Sequence, residues 1–268
     1  MPKKKEPVKV EMTTAWELYQ KEQNVKRLKT GTPIDELIGG GIREDEVIEF
    51  YGEFGAGKSQ ACFSLATIVE GNVVYIDCEY TFSPQRIKQI AQNRSLNPDE
   101  ALQKIYVCQP QTTEEQACAL NNIPPTVKPS LIIVDGVTTL FRAEYIGREN
   151  LAKKQGELRK HLSQLKEYAR NNKTPTVITN QVYQNPDGTP FLPLDLRELA
   201  CGGHTLYHSI NNRIFIRKAQ HGTRIACLVD SSEYPRQERP FIISAKGIEP
   251  LPEQKGEKGL MEGGGKVE

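Results

Sequence analysis

The sequence predicts one α/β domain: a mainly parallel central sheet with helices on both faces and an antiparallel extension at its C-terminal side. Three observations predict it. Apolar runs at residues 47–51, 73–77, 131–135 and 176–179 are short, rich in Val and Ile, and separated by longer segments. Such runs are buried on both faces, as strands of a helix-covered parallel sheet are. Between the third and fourth, Leu158, Leu162, Leu165 and Ala169 fall at helical spacing among Lys, Arg, Glu and Gln, which marks an amphipathic crossover helix. After residue 210, apolar runs at 213–217, 224–229 and 241–244 are joined only by short polar turns such as Gln220-His221-Gly222, and so pair antiparallel.

The chain has 268 residues, which suits one core, since single cores stop growing near about 250–300 residues. Residues 1–12, with Lys3, Lys4, Lys5 and Lys9, are expected to form a basic flexible tail; residues 13–250 form the core; residues 251–268, rich in Gly and Lys, form a disordered tail. Lys plus Arg number 35 against 34 Asp plus Glu, so no global field draws the protein to nucleic acid or to an acidic membrane, and any such binding rests on local patches. The six cysteines contain no Cys-x-x-Cys pair, which argues against a zinc site or a disulfide framework and for reduced thiols in the cytoplasm. No apolar run approaches the roughly 20 residues that span a bilayer, so no membrane partner is expected.

Residues Gly52-Glu53-Phe54-Gly55-Ala56-Gly57-Lys58-Ser59 fit G-x-x-x-x-G-K-[ST], between a strand ending at Tyr51 and a helix starting near Lys58. The glycines let the backbone curl so that several N–H groups face one anion, and the helix N-terminus adds positive potential. Lys58 would neutralise β- and γ-phosphate oxygens, while the Ser59 hydroxyl would ligate Mg²⁺. A second carboxylate is needed for the metal shell. Asp135, at the end of a buried run, is either that group or an ordinary turn residue. Glu79, just past the run ending at Asp77, is either a general base for the attacking water or a solvated loop glutamate.

Several segments together resemble the RecA/RadA recombinase family, in particular archaeal RadA and its eukaryotic relatives. They are Thr30-Gly31 with Leu37-Ile38-Gly39-Gly40-Gly41, YGEFGAGKSQ at 51–60, YIDCEYTFSPQR at 75–86, IVDGVTTLFRAEYIGR at 133–148, TNQV at 179–182 and GGHTLYH at 202–208. The resemblance implies a RecA-like P-loop NTPase core that uses ATP and Mg²⁺, with residues 52–60 around the nucleotide. It implies that Glu79 is the catalytic glutamate, that Gln181 senses the γ-phosphate and signals to DNA-binding loops, that Arg86 packs on adenine, and that His208 reads the nucleotide of an adjacent subunit. Two loops would bind single-stranded DNA: Arg142, Tyr145 and Arg148 fall in the first, and the stretch 182–203, ending in Gly202 and Gly203, takes the place of the second.

The residues themselves favour the first loop. Residues 141–154 offer Arg142, Arg148, Lys153 and Lys154 against Glu144 and Glu149, with Phe141 and Tyr145 nearby, cations and stacking groups suited to a single strand; the alternative is a solvated helix start. In the second, Asp187, Asp195 and Glu198 stand against Arg197, a poor partner for phosphate. Other departures point away from the main strand-exchange enzyme. Only 29 residues precede Thr30, too few for the family's helix-hairpin-helix domain; no Phe precedes Phe50 to serve as its Phe-x-x-Ala tether; Tyr80 and Ser83 stand where relatives usually have Gly and Arg. The expectation is a RadA paralogue: an ATP-dependent accessory protein of recombination and DNA repair that binds single-stranded DNA, partners a full-length recombinase and can form homo-oligomers. The alternatives are a filament-forming strand-exchange enzyme, a non-hydrolysing ATP-binding adaptor and a KaiC-like regulatory ATPase; the FRAEYIGR segment argues against the last.

Overall fold

The computed structural model describes residues 12–185, 197–203, 206 and 210–252. Most of both expected tails, the middle of the second DNA-binding stretch and His208 lie outside the described residues.

Four parallel strands build the centre: β3 (Val47–Gly52), β4 (Asn72–Asp77), β6 (Pro129–Asp135) and β7 (Thr176–Gln184). They follow a short antiparallel pair, β1 (Arg27–Leu28) with β2 (Ile42–Arg43), and are flanked by β5 (Ile105–Cys108), β8 (Glu198–Ala200), β9 (Asn212–Lys218), β10 (Arg224–Ser231), β11 (Gln237–Ser244) and β12 (Gly247–Pro250). Among the described residues the main sheet runs β12-β11-β10-β9-β3-β7-β6-β4-β5, with β8 added to β7. Pairing is parallel from β9 through β3 to β5 and antiparallel from β9 to β12. The expected class is therefore what forms.

Helices cover both faces. On one side, α3 (Lys58–Ile68), α4 (Pro84–Asn93) and α5 (Pro98–Gln103) pack with α2 (Ile34–Leu37) over a core that includes Phe63, Leu65, Tyr75, Ile87 and Ile90. On the other, α6 (Thr113–Cys118), α7 (Thr139–Glu144) and α8 (Leu151–Asn172) cover a second core. The crossover stripe is as expected: Leu158, Leu162, Leu165 and Ala169 of α8 are all buried. Full burial of a Leu side chain is worth about 1.5–3 kcal/mol, so this stripe, more than any helix propensity, holds α8 on the sheet. The leading helix α1 (Ala15–Gln23) buries no residue; a capping box between Thr14 and Glu17 closes its first turn.

Strand register positions the site. Parallel pairing puts the C-terminal ends of β3, β4, β6 and β7 at one edge, where ligands of open α/β sheets bind. There Gly52 is the partner of Gln181 and Asp77 the partner of Asp135. Beneath this edge lies a buried polar core. Arg213 Nε donates to Glu49 at 2.6 Å with both side chains fully buried, and Asn180 Nδ2 donates to the other Glu49 oxygen at 2.9 Å. Asn180 Oδ1 in turn accepts from Thr138 Oγ1 and from the Gln181 amide, which ties the sheet interior to the residues at its edge.

Candidate functional site

The loop from Gly52 to Gly57 joins β3 to α3, as its motif requires. A Cβ at Gly52 would collide with the carbonyl oxygen of Ile216 on β9, and Gly57, at φ 111°, would press a Cβ to 2.8 Å from Ile243 Cδ1 on β11. Glycine at both places follows from the close approach of β9 and β11, besides the curl of the loop. Lys58 is buried and donates from Nζ to the Gly52 and Glu53 carbonyls at 2.9 Å each. Burial lowers its pKa, and the nearby charges of Glu79 and Asp135 oppose that shift. Its ammonium is thus stationed between the loop and two carboxylates.

Asp135, 1% exposed, accepts from Tyr75 Oη at 2.6 Å on one oxygen and from Thr179 Oγ1 on the other. Burial pushes its carboxyl up, hydrogen bonds from Thr179, Tyr75 and Ser59 pull it down, and Glu79 adds to the rise. A hydroxyl beside a fixed buried carboxylate fits the hard oxygen ligands of Mg²⁺. Among the described residues no group of three or more His, Cys, Asp or Glu could hold a metal. A cation here would therefore need phosphate oxygens and water to complete its shell.

Glu79 is half-buried and is no loose loop residue. Its Oε1 accepts from Gln181 Nε2 at 2.7 Å and from Thr139 Oγ1 at 3.1 Å. Gly136, at φ 84°, makes room for it, since a Cβ there would sit 2.5 Å from Glu79 Cγ. The turn itself is wrapped round Asp77, whose carboxylate accepts from the Thr81 and Phe82 amides and from Gln109 Nε2. Gln181 Oε1, for its part, accepts from Arg142 NH1 at 3.0 Å.

These groups share a cleft of about 300 Å³ lined by Phe54, Gly55, Gly57, Lys58, Ser59, Gln60, Glu79, Thr81, Gln181, Arg224 and Ile243. Arg86 stands behind Gln60: its Nε donates to Gln60 Oε1 at 2.8 Å, NH2 donates to the Ser244 carbonyl at 2.6 Å, and NH1 donates to Gln89. Its guanidinium plane is thereby fixed at one end of the cleft. Lys218 on β9 braces the loop from outside, donating to the Phe54 carbonyl at 2.9 Å beside Glu53.

The family model for Rad51 matches residues 21–251. The chain belongs to the Rad51 family. It is 38% identical over 260 residues to the DNA repair and recombination protein RadA of Ignicoccus hospitalis, a match spanning 89% of this chain and 77% of that protein. The RadA of Aeropyrum pernix is similar to the same degree, 38% over 260 residues, spanning 91% of this chain and 79% of that one. The resemblance stated from the motifs is thus borne out at the level of family and fold.

Beside the cleft at the 52–59 loop of this Rad51-family core lies a second one, lined by Arg142, Leu151, Lys154, Gln155, Tyr183, Cys201, Gly202 and Gly203. It brings together Arg142 of the first expected DNA loop with Gly202 and Gly203 of the second, and adds Lys154 and the exposed Tyr183. Arg148 is exposed. Three details differ from expectation. Phe141 is only 2% exposed and packs on His161, so it offers no stacking face. Tyr145 turns to a different cleft, with His161, and carries Lys153 5.5 Å over its ring. Glu198 is buried on β8 instead of standing on the loop surface, because antiparallel pairing with Gln184 draws it in. Of the cysteines, Cys118 is exposed and Cys108 partly so.

Sequence reading missed Tyr75, Thr139, Thr179, Lys218, Arg224 and Ile243. Tyr75, Thr139 and Thr179 lie within the family-like segments at 75–86, 133–148 and 179–182 but drew no role there. The signal for Thr139 and Thr179 was proximity to Asp135 and Gln181; Lys218, Arg224 and Ile243 come from strands whose place beside the phosphate loop only the topology reveals.

Proposed function

We propose that this chain is an ATP-dependent accessory protein of homologous recombination and DNA repair that hydrolyses ATP when it binds single-stranded DNA. The observation that carries this reading is the chain Glu79, Gln181, Arg142, which links the nucleotide cleft to the second cleft through two hydrogen bonds. Amides of residues 52–59 and the Lys58 ammonium would hold the β- and γ-phosphates, and Gln60, Arg86, Arg224 and Ile243 would flank the nucleoside. Ser59 and Asp135 would hold Mg²⁺, which neutralises charge developing on the phosphate oxygens. Glu79 would accept the proton of a water attacking the γ-phosphorus, with ADP leaving in line. Arg142, Lys154 and Tyr183 would receive phosphates and a base of the strand.

RadA relatives bear names that place them in DNA repair and recombination, which supports the setting. Tyr80 and Ser83, where the family usually has Gly and Arg, support an accessory role over strand exchange, as they alter the outer side of the nucleotide site; the partner would then be a full-length recombinase. The test combines filter binding to a labelled single strand in moderate salt, with and without ATP, and ATPase assays of the wild type and Lys58→Ala. ATP-dependent binding with turnover lost in Lys58→Ala is expected. Turnover unchanged in that variant would overturn the hydrolytic assignment, absence of strand affinity would overturn the DNA half, and long helical polymers on DNA in micrographs would replace the accessory role with strand exchange.

A further inference from the structure

Tyr80 follows Glu79 directly, and its backbone lies at φ 56°. For a bulky residue this left-handed conformation is unfavourable, and glycine would adopt it freely. Burial does not compensate, because Tyr80 is 51% exposed. What the side chain does make is one tether: its hydroxyl lies 3.2 Å from the Gln109 carbonyl and 3.3 Å from that of Pro110, a single proton shared between two acceptors. The same segment also grips the turn from below, through Gln109 Nε2 on Asp77 at 3.0 Å. Strain kept at a half-exposed position beside a reactive group marks a functional constraint more often than a packing one.

The turn carrying Glu79 is therefore fixed from two sides. On one, Gln181 and Thr139 hold the carboxylate itself; on the other, Tyr80 anchors the backbone to residues 109–110. We propose that Tyr80 is a positioning residue for ATP hydrolysis, a strap that keeps the Glu79 main chain from swinging away from the phosphate loop while the carboxylate takes up its proton. This rests on the reading of Glu79 as the base. It places no group of Tyr80 on the nucleotide, so nucleotide affinity is independent of the strap.

The deciding variant is Tyr80→Phe, which keeps the ring and the backbone conformation and removes only the hydroxyl tether; Tyr80→Gly removes tether and strain together. Steady-state ATPase with saturating single strand, nucleotide affinity and thermal unfolding are measured for both, beside Glu79→Gln. Expected for Tyr80→Phe is a fall in kcat of about threefold to tenfold, the worth of one neutral hydrogen bond, with KM for ATP unchanged. Tyr80→Gly is expected to lose at least as much kcat although its melting temperature holds or rises, a combination that general destabilisation does not give. A kcat unchanged in Tyr80→Phe while Glu79→Gln is inactive overturns the strap and leaves the hydrolytic reading intact. Turnover in Glu79→Gln equal to the wild type overturns both.

Discussion

Gln181 donates its side-chain amide to Glu79 at 2.7 Å while Arg142 donates to its carbonyl at 3.0 Å, so a single amide is held at both ends. Gln181→Ala cuts this link without removing either cleft. The expected outcome is basal ATPase lowered by about threefold to tenfold, as Glu79 loses one of its two holds, and stimulation by single strands reduced by a further tenfold or so, a coupling loss of ~1.4 kcal/mol. Rates with and without a short oligonucleotide check it.

Arg142 and Lys154 line the second cleft together. If both meet phosphates, Arg142→Ala and Lys154→Ala each lower affinity on every sequence alike and reduce the slope of log K against log salt by about 1. Binding measured across a salt series reads both quantities. A slope unchanged in both variants removes this cleft from the DNA contact.

How far the sequence discloses such a site depends on how local the chemistry is. The strand–loop–helix turn at 52–59 is legible because its motif is one continuous stretch, and Asp135 as a buried strand end because four buried residues lead to it. Tyr75 and Thr179, which hold the Asp135 carboxylate, sit 60 and 44 residues from it, and no periodicity announces such a pair. Of the main-sheet strands, β5, β8 and β12 escaped notice because each has four residues or fewer, and two of the four in β5 are exposed. Strand β7 runs to Gln184, past the expected end at 179, since its ladder with β3 continues to Gln181 and antiparallel pairing with β8 carries it from Val182 to Gln184. Phe141 misled because an aromatic in a loop-like context reads as available until the packing of α7 on α8 is known.

The Arg213 and Glu49 pair is fully buried. Arg213→Leu strands a carboxylate away from water and is expected to cost about 3–5 kcal/mol, seen as a lower midpoint in urea unfolding. Glu49→Leu combined with Arg213→Met recovers most of that loss, since an apolar pair of similar volume carries no desolvation penalty. Turnover need not recover with it, because Asn180 loses its bond to Glu49.

Glu46, 6% exposed, has its pKa pushed up from 4.5 to about 7, first by burial and then by Glu233, with Asp45 adding to the rise and Arg43 and an Asn212 hydrogen bond opposing it. A carboxyl whose pKa is higher in the folded state binds its proton more tightly there. Its contribution to stability is full below pH 4.5 and is lost as pH rises through about 7. Glu46→Gln, which keeps an acceptor for Asn212, is expected to be the more stable protein at pH 8, by roughly 2 kcal/mol, with the advantage shrinking towards pH 5. Urea unfolding at the two pH values decides; equal differences at both would show that Glu46 titrates normally.

The close approach of Gly52 to the Ile216 carbonyl, with Arg224 and Ile243 on the cleft wall, bears on what a minimal folded core would be. Every short signature of nucleotide chemistry except His208 lies before residue 203, which tempts one to express that portion alone. Such a fragment would bring the right letters and half a container: the glycine curl would lose the surface it is moulded against, and the cleft one of its walls. Domain grafts within this family should accordingly exchange the last four strands and the phosphate loop as one unit.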